Sequence, residues 1–183
     1  MRIISGKYRG FLIVEPQVET TRVTKERVRE GVFSALGSEV RNKTVLDLFA
    51  GSGSMGFEAF SRGAAEVRFV DSNFSTVTAM NKTKNNLKIM DNSLEIIYGS
   101  YPFVLTRFNC TFDLIFIDPP YGEFAIVEII KDLYRHGIAN VDTIFVVEDL
   151  SHFENNFVVS KRTRTYKYGI NHVTILEGVN ING

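Results

Sequence analysis

The chain has 183 residues, which suffices for one domain but not for two of ordinary size. Apolar residues make up 44% of the sequence, so a core needs no support from a disulfide or a metal. The 21 Lys and Arg residues balance 21 Asp and Glu residues, which at face value argues against a nucleic-acid partner. Neither a signal segment nor an apolar run of membrane-spanning length is visible, so we expect a cytoplasmic protein without membrane contact.

The first 43 residues have a pattern of their own. Apolar residues at 3–4 and 11–14 predict a small hairpin around the glycines at positions 6 and 10. A helix is predicted from about residue 25 to residue 36, with one apolar face and with Arg29 on the opposite face. We therefore expect residues 1–43 to form an extension to a core that comprises residues 44–183.

From residue 44 onward, short apolar runs alternate with helix-length segments. Strands are predicted at residues 44–49, 67–70, 94–98, 112–117 and 143–148, and helices at 55–62, 75–87, 101–107 and 124–136. This alternation is typical of βαβ units, so we expect an α/β fold with a mostly parallel, Rossmann-like sheet. Two extended segments, at 157–166 and 171–177, predict an antiparallel hairpin that completes the sheet.

The first chemical motif follows the first predicted core strand. Residues 47–56 read Asp-Leu-Phe-Ala-Gly-Ser-Gly-Ser-Met-Gly, which is a G-x-G-x-x-G between a strand and a helix. Glycines there let the backbone approach a nucleoside-type ligand, and an acidic residue on the next strand, Asp71, suits ribose hydroxyls. The predicted cofactor residues are Asp47, Phe49, Ala50, Gly51, Ser52, Gly53, Asp71 and Ser72.

Asp47 favours one class of cofactor over another. Its carboxylate provides a counter-charge for a charged amino group, such as that of a methionine moiety, whereas it would repel a pyrophosphate. The alternative is that Asp47 only caps the backbone of the turn.

The second motif is Asp118-Pro119-Pro120-Tyr121, directly after an apolar strand. The two prolines favour an extended turn and remove two N–H donors. The Asp118 carboxylate and the Pro119 carbonyl can then accept both N–H bonds of an exocyclic amine, while Tyr121 stacks on its ring. We predict all four residues to be catalytic, since the carboxyl end of a parallel strand faces the same crevice as the glycine loop. The alternative is an ordinary turn that ends a strand.

These motifs resemble those of the S-adenosylmethionine-dependent amino-methyltransferases, which share Asp-x-Phe-x-Gly-x-Gly and (Asp/Asn)-Pro-Pro-(Tyr/Phe). Within that group the sequence is similar to the bacterial RsmD-type 16S rRNA guanine-N2 methyltransferases over nearly the whole chain. The residues that carry the similarity are 2–10, 22–24, 27–30, Phe33, 47–56, 58–64, Val70-Asp71, 118–121 and Tyr168-Gly169. The amino-terminal signature discriminates, because Asp-Pro-Pro-Tyr is shared with DNA adenine methyltransferases.

The resemblance implies a seven-stranded class I methyltransferase sheet, S-adenosylmethionine as the methyl donor and no metal. It implies transfer to the N2 amine of a guanine in 16S rRNA, as naked RNA or within an assembling small ribosomal subunit, by an enzyme expected to be a monomer. The family usually has Pro in place of Val23, Glu in place of Asp71, and acidic residues in place of Asn73 and Ser100. Ser100 is expected to contact the adenine despite this difference.

Two alternatives remain open at the level of sequence. A DNA adenine-N6 methyltransferase is disfavoured because only 43 residues lie outside the core, which leaves little room for a target-recognition domain. A nicotinamide-dependent Rossmann protein or a non-catalytic nucleotide-binding module is the other alternative.

Charge counted along the chain removes the apparent neutrality. Residues 44–160 have a net charge of −7, whereas residues 1–43 have +4 and residues 161–183 have +3. Basic and aromatic side chains interleave near both ends, which is typical of segments that contact RNA phosphates and unpaired bases. The predicted RNA contacts are Lys7, Arg9, Arg22, Lys25, Arg29, Arg162 and Arg164. For the carboxyl-terminal segment the alternative is a solvated surface strand.

Overall fold

The computed structural model describes residues 1–16, 22–90, 92–120, 122–149 and 158–181. The helices are α1 Arg22–Leu36, α2 Ser54–Ser61, α3 Phe74–Asn86 and α4 Ile126–Arg135. The strands are β1 Thr44–Asp47, β2 Glu66–Asp71, β3 Leu94–Tyr98, β4 Leu114–Ile117, β5 Ile144–Asp149, β6 Val158–Tyr168 and β7 Asn171–Ile181. Short 3-10 helices cover Gly37–Val40 and Phe103–Arg107.

The seven strands form one sheet in the order β3-β2-β1-β4-β5-β7-β6. The first five are parallel, and β7 pairs antiparallel with both β5 and β6. This confirms the predicted mostly parallel sheet with an antiparallel hairpin. The edge at which the five parallel strands end is called the carboxyl edge below, and the opposite one the amino edge.

Helices cover both faces of the sheet. On β4, Leu114 and Phe116 pack into a cluster with α1, α2 and α3, while Ile115 and Ile117 pack into a second cluster with α4. Successive strand residues point to opposite faces, so a continuous apolar run is what a doubly covered strand requires. Ile3 and Ile13 belong to the first cluster, so the amino-terminal residues share a core with the sheet.

The amino-terminal region differs from the sequence-based expectation in two details. The predicted hairpin is present as one antiparallel bridge between Arg2 and Leu12, flanked by backbone hydrogen bonds between Ile3 and Phe11 and between Ile13 and Met1, without regular strands. Helix α1 begins at Arg22, three residues before the predicted start. Among the described residues, no helix has the length and apolarity needed to cross a membrane.

The directions of α1 and α2 determine where the basic residues lie. Helix α2 runs from the carboxyl edge to the amino edge, where the Gly63 carbonyl accepts a hydrogen bond from the Asn42 amide just before β1. Helix α1 runs in the same direction. The carbonyl of Ala35, near the carboxyl end of α1, accepts a hydrogen bond from Arg164 of β6, whereas the earlier Gly31 lies against Tyr168, the last residue of β6. Arg22 therefore lies about 14 Å along the helix from Gly31, toward the carboxyl edge.

Candidate active site

The glycine loop joins β1 to α2 in a tight turn. The Ala50 amide donates to the Val70 carbonyl on β2, and the Gly53 amide donates to the Ala50 carbonyl at 2.7 Å. Gly53 has a φ of 74°, in the left-handed region, and serves as the N-cap position of α2. A side chain at this position would be strained, which explains why the loop needs glycine here.

Asp71 fastens the glycine loop to β2. Its Oδ2 accepts a hydrogen bond from the Gly51 amide at 2.7 Å, and its Oδ1 accepts one from the Asn73 amide at 2.8 Å. Because each carboxylate oxygen has two lone pairs, both oxygens retain acceptor capacity for a ligand hydroxyl. The structure therefore places Asp71 against the loop, as the motif predicted.

Asp47 is buried at the end of β1, with 4% of its surface exposed. The pKa of its carboxyl group is raised to about 7, mainly by burial and to a smaller extent by the charge of Asp71, while a hydrogen bond from the Gly56 amide at 3.0 Å opposes the rise. The backbone-capping role that the sequence left open is thus present in the structure. It is compatible with cofactor binding, since only Oδ2 takes part in that bond.

The Asp118-Pro119-Pro120 segment lies next to the glycine loop at the carboxyl edge. Asp47 pairs with Phe116, so the segments that follow β1 and β4 are neighbours. The Asp118 side chain is exposed, and Pro119 behind it is buried. The Glu123 amide donates to the Pro120 carbonyl at 3.2 Å and closes a turn, whereas Tyr121 lies outside the described residues.

Ser72 and Ser100 complete the predicted cofactor set. Both are exposed and follow the ends of β2 and β3, whose terminal residues Asp71 and Tyr98 are paired. The structure thus brings the predicted residues of four consecutive strand ends to one edge. Among the described residues, no group of three or more His, Cys, Asp and Glu side chains could hold a metal ion.

Two of the predicted RNA contacts are engaged inside the protein. Arg29 is 1% exposed and forms an ion pair with the buried Glu58 at 3.6 Å, so the prediction that it contacts RNA is wrong. The prediction placed Arg29 on the solvent face of α1, but Arg29 lies three and four residues before the buried Val32 and Phe33 and shares their face, and its guanidinium donates to the Arg2 carbonyl at 2.6 Å. Arg164 donates to the Ala35 carbonyl at 2.6 Å and also pairs with Glu177, which removes it from the predicted RNA surface.

The other basic residues fall into two places. Lys7 and Arg9 are exposed on a turn whose Lys7 amide donates to the Ser61 carbonyl, so they lie at the amino edge, opposite the crevice. Arg22 and Lys25 are on the first turns of α1, toward the carboxyl edge. The Arg162 side chain is 63% exposed and lies 3.8 Å from Glu177.

Sequence reasoning missed a buried carboxylate that organises the amino-terminal region. Glu58, on α2, is fully buried and accepts hydrogen bonds from the Ile4 and Ser5 amides and from Arg62. The sequence did contain a signal for Glu58, because this residue lies within residues 58–64, which carry part of the resemblance to the family. The exposed lysines of β6, Lys161 and Lys167, were missed as well, because the arginines of that strand were chosen instead.

Comparison with known proteins agrees with this geometry. Residues 1–177 match the family described as conserved hypothetical protein 95. The Ribosomal RNA small subunit methyltransferase D of Escherichia coli is 30% identical over 148 residues, which are 81% of this chain and 74% of that protein.

Solved structures give the same result for the fold. The candidate methyltransferase yhhF of Escherichia coli superposes with a TM-score of 0.79 at 25% identity, over 97% of this chain and 98% of that one. The candidate methyltransferase SMU.776, solved with S-adenosylhomocysteine (SAH), has a TM-score of 0.61 at 17% identity, over 85% and 50% of the two chains. The chain therefore belongs to the family of conserved hypothetical protein 95, the RsmD-type methyltransferases.

Proposed function

We propose that this protein transfers a methyl group from S-adenosylmethionine to the exocyclic N2 amine of a guanine in 16S rRNA. The observation that carries the proposal is the juxtaposition, at one sheet edge, of the Asp71-fastened glycine loop and the Asp118-Pro119-Pro120 turn. Family membership supports rRNA as the acceptor, since the Escherichia coli relative is named as a small-subunit rRNA methyltransferase.

The residues of the crevice fit this cofactor. Asp47 offers a buried carboxylate beside the loop, which suits a cationic amine, and Asp71 keeps acceptor capacity for ribose hydroxyls. We propose that Ser100, which is exposed after β3 at the same edge, contacts the adenine. The SAH complex of SMU.776 shows that the same fold holds this type of ligand in another protein.

When bound, S-adenosylmethionine supplies an electrophilic methyl group on a sulfonium. The Asp118 carboxylate and the Pro119 carbonyl accept the two N–H bonds of the guanine amine and direct its lone pair toward that methyl. The N–C bond forms as the S–C bond breaks, and the surplus proton then leaves to solvent. The target base must be unstacked to enter the crevice, which we propose is assisted by stacking on Tyr121.

Methylation assays with the purified protein test this function directly. We expect methyl transfer to 16S rRNA or a small-subunit particle, mapped by mass spectrometry to one N2-methylguanine, with duplex DNA inert. Asp118→Ala is expected to abolish transfer while SAH binding, measured by calorimetry, stays within about threefold of wild type. Methylation of adenine in DNA would support the alternative enzyme, and NAD binding without SAH binding would support the nicotinamide class.

The protonation of Asp47 gives an independent test of the cofactor site. A pKa of about 7 means that the carboxyl group is neutral below pH 7 and loses its attraction for an ammonium group. SAH affinity is therefore expected to fall as the pH drops from 8 to 6, and Asp47→Asn is expected to remove that dependence. An unchanged pH profile in the variant would exclude Asp47 as the partner of the amine.

We also propose that basic residues from α1, from the amino-terminal turn and from β6 contact the RNA. Arg22 and Lys25 are nearer to the crevice, and Lys7, Arg9 and Arg162 bind phosphates at a distance from the target base. Helix α2 has eight residues and is about 12 Å long, and the turn with Lys7 bonds to its end at the amino edge, away from the glycine loop. An RNA that contacts both groups must therefore be larger than the target nucleotide and its neighbours.

A further inference from the structure

Three aromatic side chains connect the segments that form the crevice. Phe49 belongs to the glycine loop, Tyr101 follows Ser100, and Phe124 follows the turn that contains Asp118 to Pro120. The ring centroids of Tyr101 and Phe124 are 5.0 Å apart at an interplanar angle of 84°, and that of Phe49 lies 5.8 Å from Tyr101 and 5.9 Å from Phe124. Each ring thus contacts the other two, and we call this set the aromatic trio.

The aromatic trio is partly exposed at the carboxyl edge, and its inner side packs on the second core cluster. Helix α4 fixes it from below, because the Tyr101 hydroxyl donates to Asp132 Oδ2 at 2.7 Å and Arg135 pairs with the other oxygen of Asp132. Burial, together with the hydrogen bond to Asp132, raises the pKa of Tyr101, so its hydroxyl stays a donor at neutral pH.

Phe124 lies directly after the turn that contains Asp118 to Pro120, so its contacts can hold one end of that turn in place. One end of that turn continues from β4, and the other end is the Glu123 amide, which bonds to the Pro120 carbonyl directly before Phe124. Because Phe124 packs on Phe49, the end of the turn that leads into α4 is held against the glycine loop. The position of Asp118 relative to the cofactor loop then depends on this contact.

We propose that Phe124 and Tyr101 are positioning residues that fix the Asp118-Pro119-Pro120 turn against the glycine loop, with Asp132 acting through Tyr101. This inference rests on the proposed methyl transfer. It gives a role to Tyr101 and Phe124, two aromatic residues at this edge that belong to neither of the two motifs. Small displacements of reacting groups reduce turnover strongly, by up to about 100-fold for 1 Å, so such contacts matter for rate.

Phe124→Ala tests the proposal, with Phe108→Ala as the matched control. Phe108 lies in the same core cluster and contacts Phe112, so its loss removes an aromatic ring without touching the crevice. For Phe124→Ala we expect kcat on RNA to fall about 10- to 100-fold while the SAH Kd changes less than about threefold. Phe124→Tyr, which keeps the ring, is expected to restore most of the rate, and Phe108→Ala is expected to lower only the melting temperature.

Tyr101→Phe removes the hydroxyl that bonds to Asp132, and we expect it to lower kcat about three- to tenfold. Its control is Tyr134→Phe, which removes a buried hydroxyl bond to the Val179 carbonyl elsewhere on α4. Equal kcat values for the two tyrosine variants would overturn the role of the hydroxyl. A loss of SAH binding as large as the loss of kcat in Phe124→Ala would overturn positioning and make the ring part of the cofactor site.

Hydrogen exchange separates this inference from the proposed function. Phe124→Ala is expected to speed exchange of the Glu123 amide, which needs no substrate to measure. If the wild-type protein fails to methylate RNA, the proposed function fails, while protection of Glu123 still tests the aromatic trio. Unchanged protection in Phe124→Ala would contradict the inference.

Discussion

The two basic ends of the chain are built differently. At the amino end, the turn with Lys7 and Arg9 is held by its backbone, through amides that donate to Ser61 and Glu58, so both cations point into solvent. At the carboxyl end, basic residues lie on strand β6, where alternate side chains point to opposite faces. Arg164 and Tyr168 face α1, whereas Lys161 lies over Gly178 on the other face.

The comparison shows that backbone geometry decides which cations are available to a partner. A turn anchored through its amides keeps Lys7 and Arg9 exposed, whereas the packing of α1 on β6 engages Arg164. The two ends have similar net charges of +4 and +3, but they therefore differ in how many of their cations a partner can reach. Some of the variants below disturb residues that hold the turn or the strand in place, and the others remove exposed cations.

Glu58→Gln is expected to have the largest effect, because it breaks the anchor of the amino-terminal turn. The change leaves the buried Arg29 without its counter-charge, and breaking such a pair costs about 4 kcal/mol in the free energy of unfolding. Urea denaturation measures this loss. Glu66→Gln is the control, since Glu66 is half exposed and lies 3.8 Å from Arg68, and it should cost less than about 1 kcal/mol. Similar losses in both variants would show that Glu58 is not a special anchor.

Gly6→Ala and Gly10→Ala form a matched pair on the same turn. Both glycines have a φ near +85°, but a Cβ at Gly6 would overlap the Ser61 carbonyl, whereas a Cβ at Gly10 meets nothing within 4 Å. We expect the Gly10 variant to lose about 1 kcal/mol from backbone strain alone and the Gly6 variant to lose about 2–3 kcal/mol. Equal losses would mean that the turn does not pack closely on α2.

Arg164→Met tests the inward face of β6. It removes the hydrogen bond to the Ala35 carbonyl and the pair with Glu177, so we expect a loss of about 1.5 kcal/mol in stability and no change in RNA affinity. Arg162→Ala should behave in the opposite way, because its side chain is mostly exposed. A weaker RNA complex with Arg164→Met at full stability would contradict the packing of Arg164 against α1.

Lys7→Ala and Arg9→Ala are expected to produce the smallest change. Each should weaken RNA binding by about three- to fivefold and lower the slope of log affinity against log salt by about 1, as for the loss of one phosphate contact. Thermal stability and SAH binding should stay at wild-type values. Filter binding at several salt concentrations makes the measurement, and an unchanged slope would place the RNA elsewhere.

The sequence allowed the sheet and the positions of both motifs to be predicted, because these depend on local patterns. Apolar runs such as that at 114–117 are what a strand buried on both faces needs, and the spacing from Gly51 to Asp71 follows from one βα unit. The burial of Arg29 could not be predicted in this way. It depends on Glu58, 29 residues away in the chain, and on the path of residues 1–3 across α1.

The crevice shows the same division between local and long-range information. The positions of Asp47, Asp71 and Asp118 could be predicted because each is the last residue of a strand or directly follows it. The aromatic trio joins residues 49, 101 and 124 from three separate segments, and no periodicity relates them. Contacts of this kind become visible only when the register of the sheet is known.

Strand β6 has a further consequence for how copies of this chain behave toward one another. It lies at the end of the strand order, and an edge of eleven residues is a template for the strand of a second molecule. Exposed charges at Lys161, Arg162 and Lys167 oppose such edge-to-edge pairing. These three cations, of which Arg162 is also a proposed RNA contact, thus oppose aggregation, and neutralising all three together should lower the solubility of the protein.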